Sequence, residues 1–171
     1  QLLSKMARLA EPRSGRIDYD VDGTLSGNWF EVGTNFYEGV NKSKYFEGHF
    51  SLSLNDIDPN YWQIGIGFLD VYENVFVIQS NSLIPTEVSV DSGKQIYELY
   101  SFEAYVENNP NKNWFREAYD ENDVFGIRLA GKKGFVMLEL LEKQLLQLEV
   151  FLNIEKDKIN DFTDNSRIYE R

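Results

Sequence analysis

The chain has 171 residues, of which 42% are hydrophobic and 15% aromatic, and a formal charge of −11. That is enough apolar material for one domain with its own core, and too much for a disordered tail. The charge excludes nucleic acid as a partner, because a phosphate backbone is repelled, and it disfavours anionic membranes.

Leu2, Leu3, Met6 and Leu9 recur at helical spacing, and Glu11-Pro12-Arg13-Ser14-Gly15 ends the pattern. Residues 1–15 are therefore predicted to be a short helix and linker, with a single β domain over 16–171. The chain starts at Gln rather than Met, which predicts processing, trimming or excision from a longer protein. Beyond the linker the period becomes two. Phe46, Gly48, Phe50, Leu52 and Leu54 share one face, and His49 falls on the other. The stretch 55–60 is a turn by composition. Trp62, Ile64, Ile66 and Phe68 form the next apolar face, and a strand resumes over Val75–Gln79. Residues 80–94 read as loop around a short strand, Glu87–Val90. Gln95–Val106 is a strand, and the Asn-rich run 108–113 is a loop. Phe125–Leu129 is a strand, Gly131-Lys132-Lys133-Gly134 a hairpin turn, and Val136, Leu138 and Leu140 line the strand after it. Leu146, Leu148, Val150 and Leu152 line another. A short helix or turn is expected over 156–163, and a last strand over 165–171. Parallel sheets need long crossovers, and none is present, so a barrel or a sandwich remains.

Three patterns invite a functional reading. Asp20-Val21-Asp22-Gly23-Thr24-Leu25 matches the DxDGT motif of haloacid-dehalogenase-like phosphatases, in which paired carboxylates attack and protonate a phosphoester. That chemistry requires a preceding apolar strand and an α/β fold. Arg16-Ile17-Asp18-Tyr19 is too polar and the downstream chain is β, so the match is read as a decoy and no enzyme is expected. Asp18, Asp20 and Asp22 before Gly23 also alternate as in a calcium loop. The twelfth position, where an EF-hand places glutamate, is Trp29, so an exposed turn is favoured over calcium. His49 is the only histidine and cysteine is absent, which removes disulfides, thiolate metal sites and cysteine nucleophiles. No cofactor is expected, and no metal beyond a calcium-binding loop of another kind at Asp18-Asp20-Asp22, which stays as a further alternative.

Gly27-Asn28-Trp29 resembles the G-x-W motif on the first strand of lipocalins and the wider calycin group. The ending Ser166-Arg167-Ile168-Tyr169-Glu170-Arg171 resembles the last strand of the same group, fatty-acid-binding proteins included. The resemblance implies an all-β, antiparallel up-and-down calycin-like barrel of about eight to ten strands. It implies that Trp29 closes one end under a last-strand arginine, with Arg167 first choice and Arg171 second. It implies an extracytoplasmic or secreted location, as is common for such barrels in bacteria. Phe50, Leu52, Trp62, Ile64, Ile66, Val136, Leu138, Leu146 and Leu148 are the candidate lumen residues. They predict non-catalytic binding of a small apolar or amphipathic ligand, unless they close on one another as a solid core. Trp62 and Trp114 are candidates to line a ligand mouth. The alternative is a structural or protein-interaction module of a larger secreted protein, with a filled barrel.

Overall fold

A computed structural model describes residues 20–38, 46–69, 74–79, 83–109, 123 and 125–171. The predicted N-terminal helix and linker, Asp18 and Trp114 lie outside these residues. Eight antiparallel strands follow one another around a closed barrel: β1 (Gly27–Glu31), β2 (His49–Leu54), β3 (Trp62–Ile66), β4 (Val75–Gln79), β5 (Gln95–Val106), β6 (Phe125–Glu142), β7 (Leu145–Leu152) and β8 (Arg167–Glu170). Each strand pairs with the next along the chain, and β8 returns to β1. Three short 3₁₀ turns, at Phe36–Glu38, Val90–Ser92 and Lys156–Lys158, are the helical elements among the described residues. None of them is long and apolar enough to cross a membrane.

Alternation dictates which side chains face inward. Residues paired across an antiparallel ladder share a face, so the registers carry one inner layer round the wall. Trp29 pairs with Phe50 and Phe50 with Ile66. Leu52 pairs with Ile64 and Ile64 with Phe76. Tyr97, Val136 and Val150 continue this layer, as do Leu140, Leu146 and Tyr169. These side chains form one contiguous core, with Leu25 and Val88 added from loops. Burying each large apolar side chain contributes about 1.5–3 kcal/mol, so this interior is the main source of stability.

Two predicted elements are different in the structure. Glu87–Val90 is not a strand: residues 85–87 turn and a 3₁₀ turn begins at Val90. Gly131-Lys132-Lys133-Gly134 is not a hairpin either, because β6 runs straight through it. The β5–β6 register shifts twice here, pairing Leu99 with Gly134 but Tyr100 with Lys132, and Ser101 with Gly131 but Phe102 with Leu129. Lys133 and Ala130 are thus the extra residues of two bulges. The bulges bend the ribbon, and beyond them β5 and β6 form an arm. Its apolar face, Phe102, Ala104, Ile127 and Leu129, packs with Val77 of β4 and with Ile57 and Tyr61 of the β2–β3 turn. Phe46, expected at the head of an inner face, precedes β2 and is exposed.

Outside the barrel, Phe135, Met137 and Phe151 are covered by Ile159 and Phe162 from the β7–β8 connection. The buried Glu149 holds that connection down, accepting hydrogen bonds from the backbone N–H and the hydroxyl of Thr163.

Candidate functional site

The chain enters β1 through a tight turn. Thr24 donates its amide and its hydroxyl to the Val21 carbonyl, at 3.1 and 2.8 Å. The Asp20 carboxylate accepts the Asn28 amide at 2.6 Å. Gly27 sits at φ +140, where a Cβ would lie 2.3 Å from Asp20 Oδ1 and 2.6 Å from Arg171 Nη1, so only glycine fits ahead of Asn28-Trp29. The Trp29 ring is fully buried and its indole N–H donates to the Leu25 carbonyl at 3.0 Å.

The arginine over Trp29 is Arg171, with Cζ 4.1 Å from the ring, and not Arg167. Register explains the correction. Phe30 pairs with Glu170 and Glu31 with Tyr169, so one step back along β1 brings Trp29 opposite position 171. Arg171 also donates to the carbonyls of Ser26 (2.8 Å), Val21 (2.9 Å) and Thr24 (2.8 Å), and so binds the whole entrance turn. Arg167 lies toward the other end of β8. Its Nη1 is 2.9 Å from Glu31 Oε2 and its Cζ 4.1 Å over the Phe68 ring. It still joins the last strand to the first, through an ion pair instead of through tryptophan.

The predicted lumen residues come together and fill the space they enclose. Phe50, Leu52, Ile64, Ile66, Val136, Leu138, Leu146 and Leu148 are all 0–1% exposed in the single core, with Trp62 partly buried at its edge. An eight-stranded barrel is just wide enough for this. Leu25 and Val88, both fully buried, plug the Gly27 end, where the Leu25 amide donates to the Pro85 carbonyl at 3.1 Å.

Among the described residues, one buried side-chain polar atom has no partner. The Tyr169 hydroxyl is buried without a hydrogen bond, while its ring packs 5.7 Å from that of Phe50. Burial, with Glu31 nearby, pushes its pKa well above the ordinary tyrosine range, so it stays neutral. Tyr169→Phe is therefore expected to raise stability by about 1 kcal/mol, since it removes an unsatisfied buried group. Urea denaturation checks this, and a loss of stability would mean that the hydroxyl has a partner.

Open volume lies at the rim. A cleft of about 460 Å³ is lined by Trp62, Ile78 and Tyr97 from the inner face, by Leu83, Ile84 and Pro85 from the β4–β5 connection, and by Glu98 and Lys156 outside. The Tyr97 hydroxyl donates to the Leu83 carbonyl at 2.8 Å and fixes that connection over the barrel edge. Leu83 and Ile84 are exposed. Trp62 was the sequence candidate that reaches this cleft. Leu83, Ile84 and Pro85 were not foreseen, although an apolar triplet inside a polar loop was the available sign. A smaller hollow of about 240 Å³ lies by β1–β3, with Phe46, His49 and Gly67 among its lining residues. His49 Nε2 is 3.3 Å from the Phe36 carbonyl, and the ring stands edge-on to Phe30 at 5.3 Å.

Among the described residues no three of His, Asp and Glu are grouped to hold a metal ion. The architecture is compatible with a calycin-like fold. Comparison with family models, curated proteins and solved structures finds no match to this chain.

Proposed function

We propose that this chain is a non-catalytic, lipocalin-like binding protein for a small amphipathic molecule, seated in the rim cleft at Trp62. The cleft itself carries the reading: about 460 Å³ falls within the range of small-molecule sites. Its apolar side offers Trp62, Leu83 and Ile84 to a hydrophobic body, and Lys156 offers charge to a polar end, whereas Glu98 is held by Lys132 and Tyr100. The packed interior argues for the rim over the lumen. Asp20, the first carboxylate of the phosphatase-like motif, is engaged by the Asn28 amide, which supports a structural use of that turn.

The test uses 1-anilinonaphthalene-8-sulfonate, an anionic amphipathic dye, titrated into the folded protein. Saturable binding is expected, and both Trp62→Ala and Ile84→Glu should weaken it by at least about tenfold, the first by removing the stacking surface and the second by repelling the sulfonate. Ile84 is exposed, so its substitution leaves the core intact. No saturable binding, or binding indifferent to both substitutions, removes the proposal.

A second reading has its own support. Val32, Phe36, Phe46 and Val75 are exposed, and each flanks the Glu31 end of the barrel in sequence, the placement expected of a protein-interaction module with a filled core. An extracytoplasmic or secreted location fits either reading and rests on the calycin resemblance. Fractionation of the source cells tests it.

A further inference from the structure

The outer wall of the barrel carries a hollow of its own. Residues paired across a ladder share a face, so Asn28, Ser51 and Gly65 lie in one outward row and Phe30 and His49 in the next. Gly67 continues the second row, its amide 2.8 Å from the His49 carbonyl. Trp29, Phe50 and Ile66 alternate with these residues, point into the core and are at most 1% exposed, so the wall beneath is closed.

Two glycines make the floor. A Cβ at Gly67 would lie 1.6 Å from the Phe46 carbonyl oxygen, and one at Gly65 2.8 Å from Ser51 Oγ, so β3 offers bare backbone here. With Asn28, Ser51, Asn74, Phe46 and His49 around it, the floor bounds about 240 Å³. Sites for drug-sized ligands run to roughly 300–1,000 Å³, so this one suits a single ring.

The lining selects the occupant. Among the described residues no Asp, Glu, Lys or Arg lines the hollow, although these make up 26% of the chain. Asp20 stands beside it, and its charge is answered by the Asn28 amide and by Arg171. An ion placed here would find no counter-charge. Asn28 and Asn74 are engaged through their main chains, the Asn28 amide by Asp20 and the Asn74 carbonyl by the Ile66 amide. Among the described residues their carboxamides and the Ser51 hydroxyl carry no hydrogen bond and are half-exposed to water. Carboxamides and hydroxyls both give and accept hydrogen bonds, as a sugar hydroxyl does, and exchanging water for such a partner costs little. Phe46 is 61% exposed, with its ring at right angles to that of His49 at 6.0 Å, and adds an apolar surface. A neutral sugar ring has the matching combination, C–H groups on its faces and hydroxyls around its edge. An aromatic ring has only an apolar face to offer.

We propose that the hollow over Gly65 and Gly67 binds one neutral hexopyranose ring, stacked by a C–H face on Phe46 and held through its hydroxyls by Asn28, Ser51 and Asn74. The hollow shares no lining residue with the rim cleft, so its failure would leave the cleft proposal intact.

The experiment titrates the whole chain with methyl β-glucopyranoside, followed by amide chemical shifts. Every ring substituent of this glycoside is equatorial, so both faces show C–H groups. Saturable shifts are expected at Ser51, Gly65 and Gly67. Phe46→Ala and Asn28→Ala should each weaken binding at least about fivefold. Phe46 is exposed, and Asn28→Ala keeps the main-chain bond to Asp20, so the fold is retained. Cellotriose distinguishes the source of the ring: tighter binding assigns it to a glycan, equal binding to a free sugar, and either supports the site. The matching glucuronide should bind at least about tenfold more weakly, and phenol should not compete. Equal binding of the glucuronide or displacement by phenol would overturn the proposal. So would shifts at the rim cleft instead, indifference to both substitutions, or no saturable shift at several hundred millimolar glucoside.

Discussion

Arg171→Ala is expected to lower unfolding free energy by about 3–4 kcal/mol, which for a chain of this size is a melting-temperature drop of roughly 10 °C. Three effects combine. Charged donors to carbonyls contribute about 1.5–3 kcal/mol each, though not additively when one guanidinium makes all three. The cation over the buried Trp29 ring adds about 1 kcal/mol. The carbonyls of Val21, Thr24 and Ser26 each lose a charged donor, although Val21 keeps the Thr24 amide and hydroxyl and Ser26 keeps the Val21 amide, and the entrance turn loosens above Leu25, a plug of the core. Lysine cannot reproduce a planar fork reaching three acceptors, so Arg171→Lys should recover less than half of the loss. Arg167→Ala is the contrast. Its ion pair with Glu31 is over one third exposed on the arginine side, and solvent screening limits that pair to about 1 kcal/mol or less. Urea denaturation of the three variants decides it. If Arg171→Ala costs no more than Arg167→Ala, the clamp is not what closes this end.

Gly134→Ala is expected to cost on the order of 3 kcal/mol for a different reason. Gly134 sits at φ +152 beside the second bulge, paired with Leu99 on one side and Leu152 on the other. A Cβ there would lie 2.1 Å from the Phe151 carbonyl oxygen and 2.8 Å from Leu152 Cα. Both obstacles are backbone, so no rotamer change relieves them. Relief requires β6 and β7 to separate, which opens the wall over Val136 and Val150. Gly131→Ala, with open space at its Cβ, serves as the control and should change stability by less than about 1 kcal/mol. Equal losses at the two positions would show that the close approach at Gly134 is unimportant.

The parts legible in the sequence are those governed by alternation. Gln95–Val106 is a strand over the expected residues, and Leu146, Leu148 and Val150 face inward as their spacing requires. The eight buried lumen candidates were found the same way, because an inner face needs an unbroken apolar period. What failed depends on register. Gly-Lys-Lys-Gly has the composition of a hairpin, and bulges draw on the same glycine freedom, so only the partner strand separates the two. The choice between Arg167 and Arg171 has the same character. Both fall on the inward side of β8, and the pairing of Glu31 with Tyr169 decides which one meets Trp29. Whether an apolar lumen is hollow depends on summed side-chain volume against barrel radius, which periodicity does not report.

The joint between β8 and β1 differs from every other in the wall. Seven ladders join strands adjacent in the chain, whereas this one brings Phe30 to Glu170 through two register pairs. Local hairpins pay little loop-closure entropy, while this joint must bring distant segments together before any reward is gained. Circularisation of an already curled meander is therefore expected to set the folding barrier, and slow amide exchange should fade first along β1 and β8.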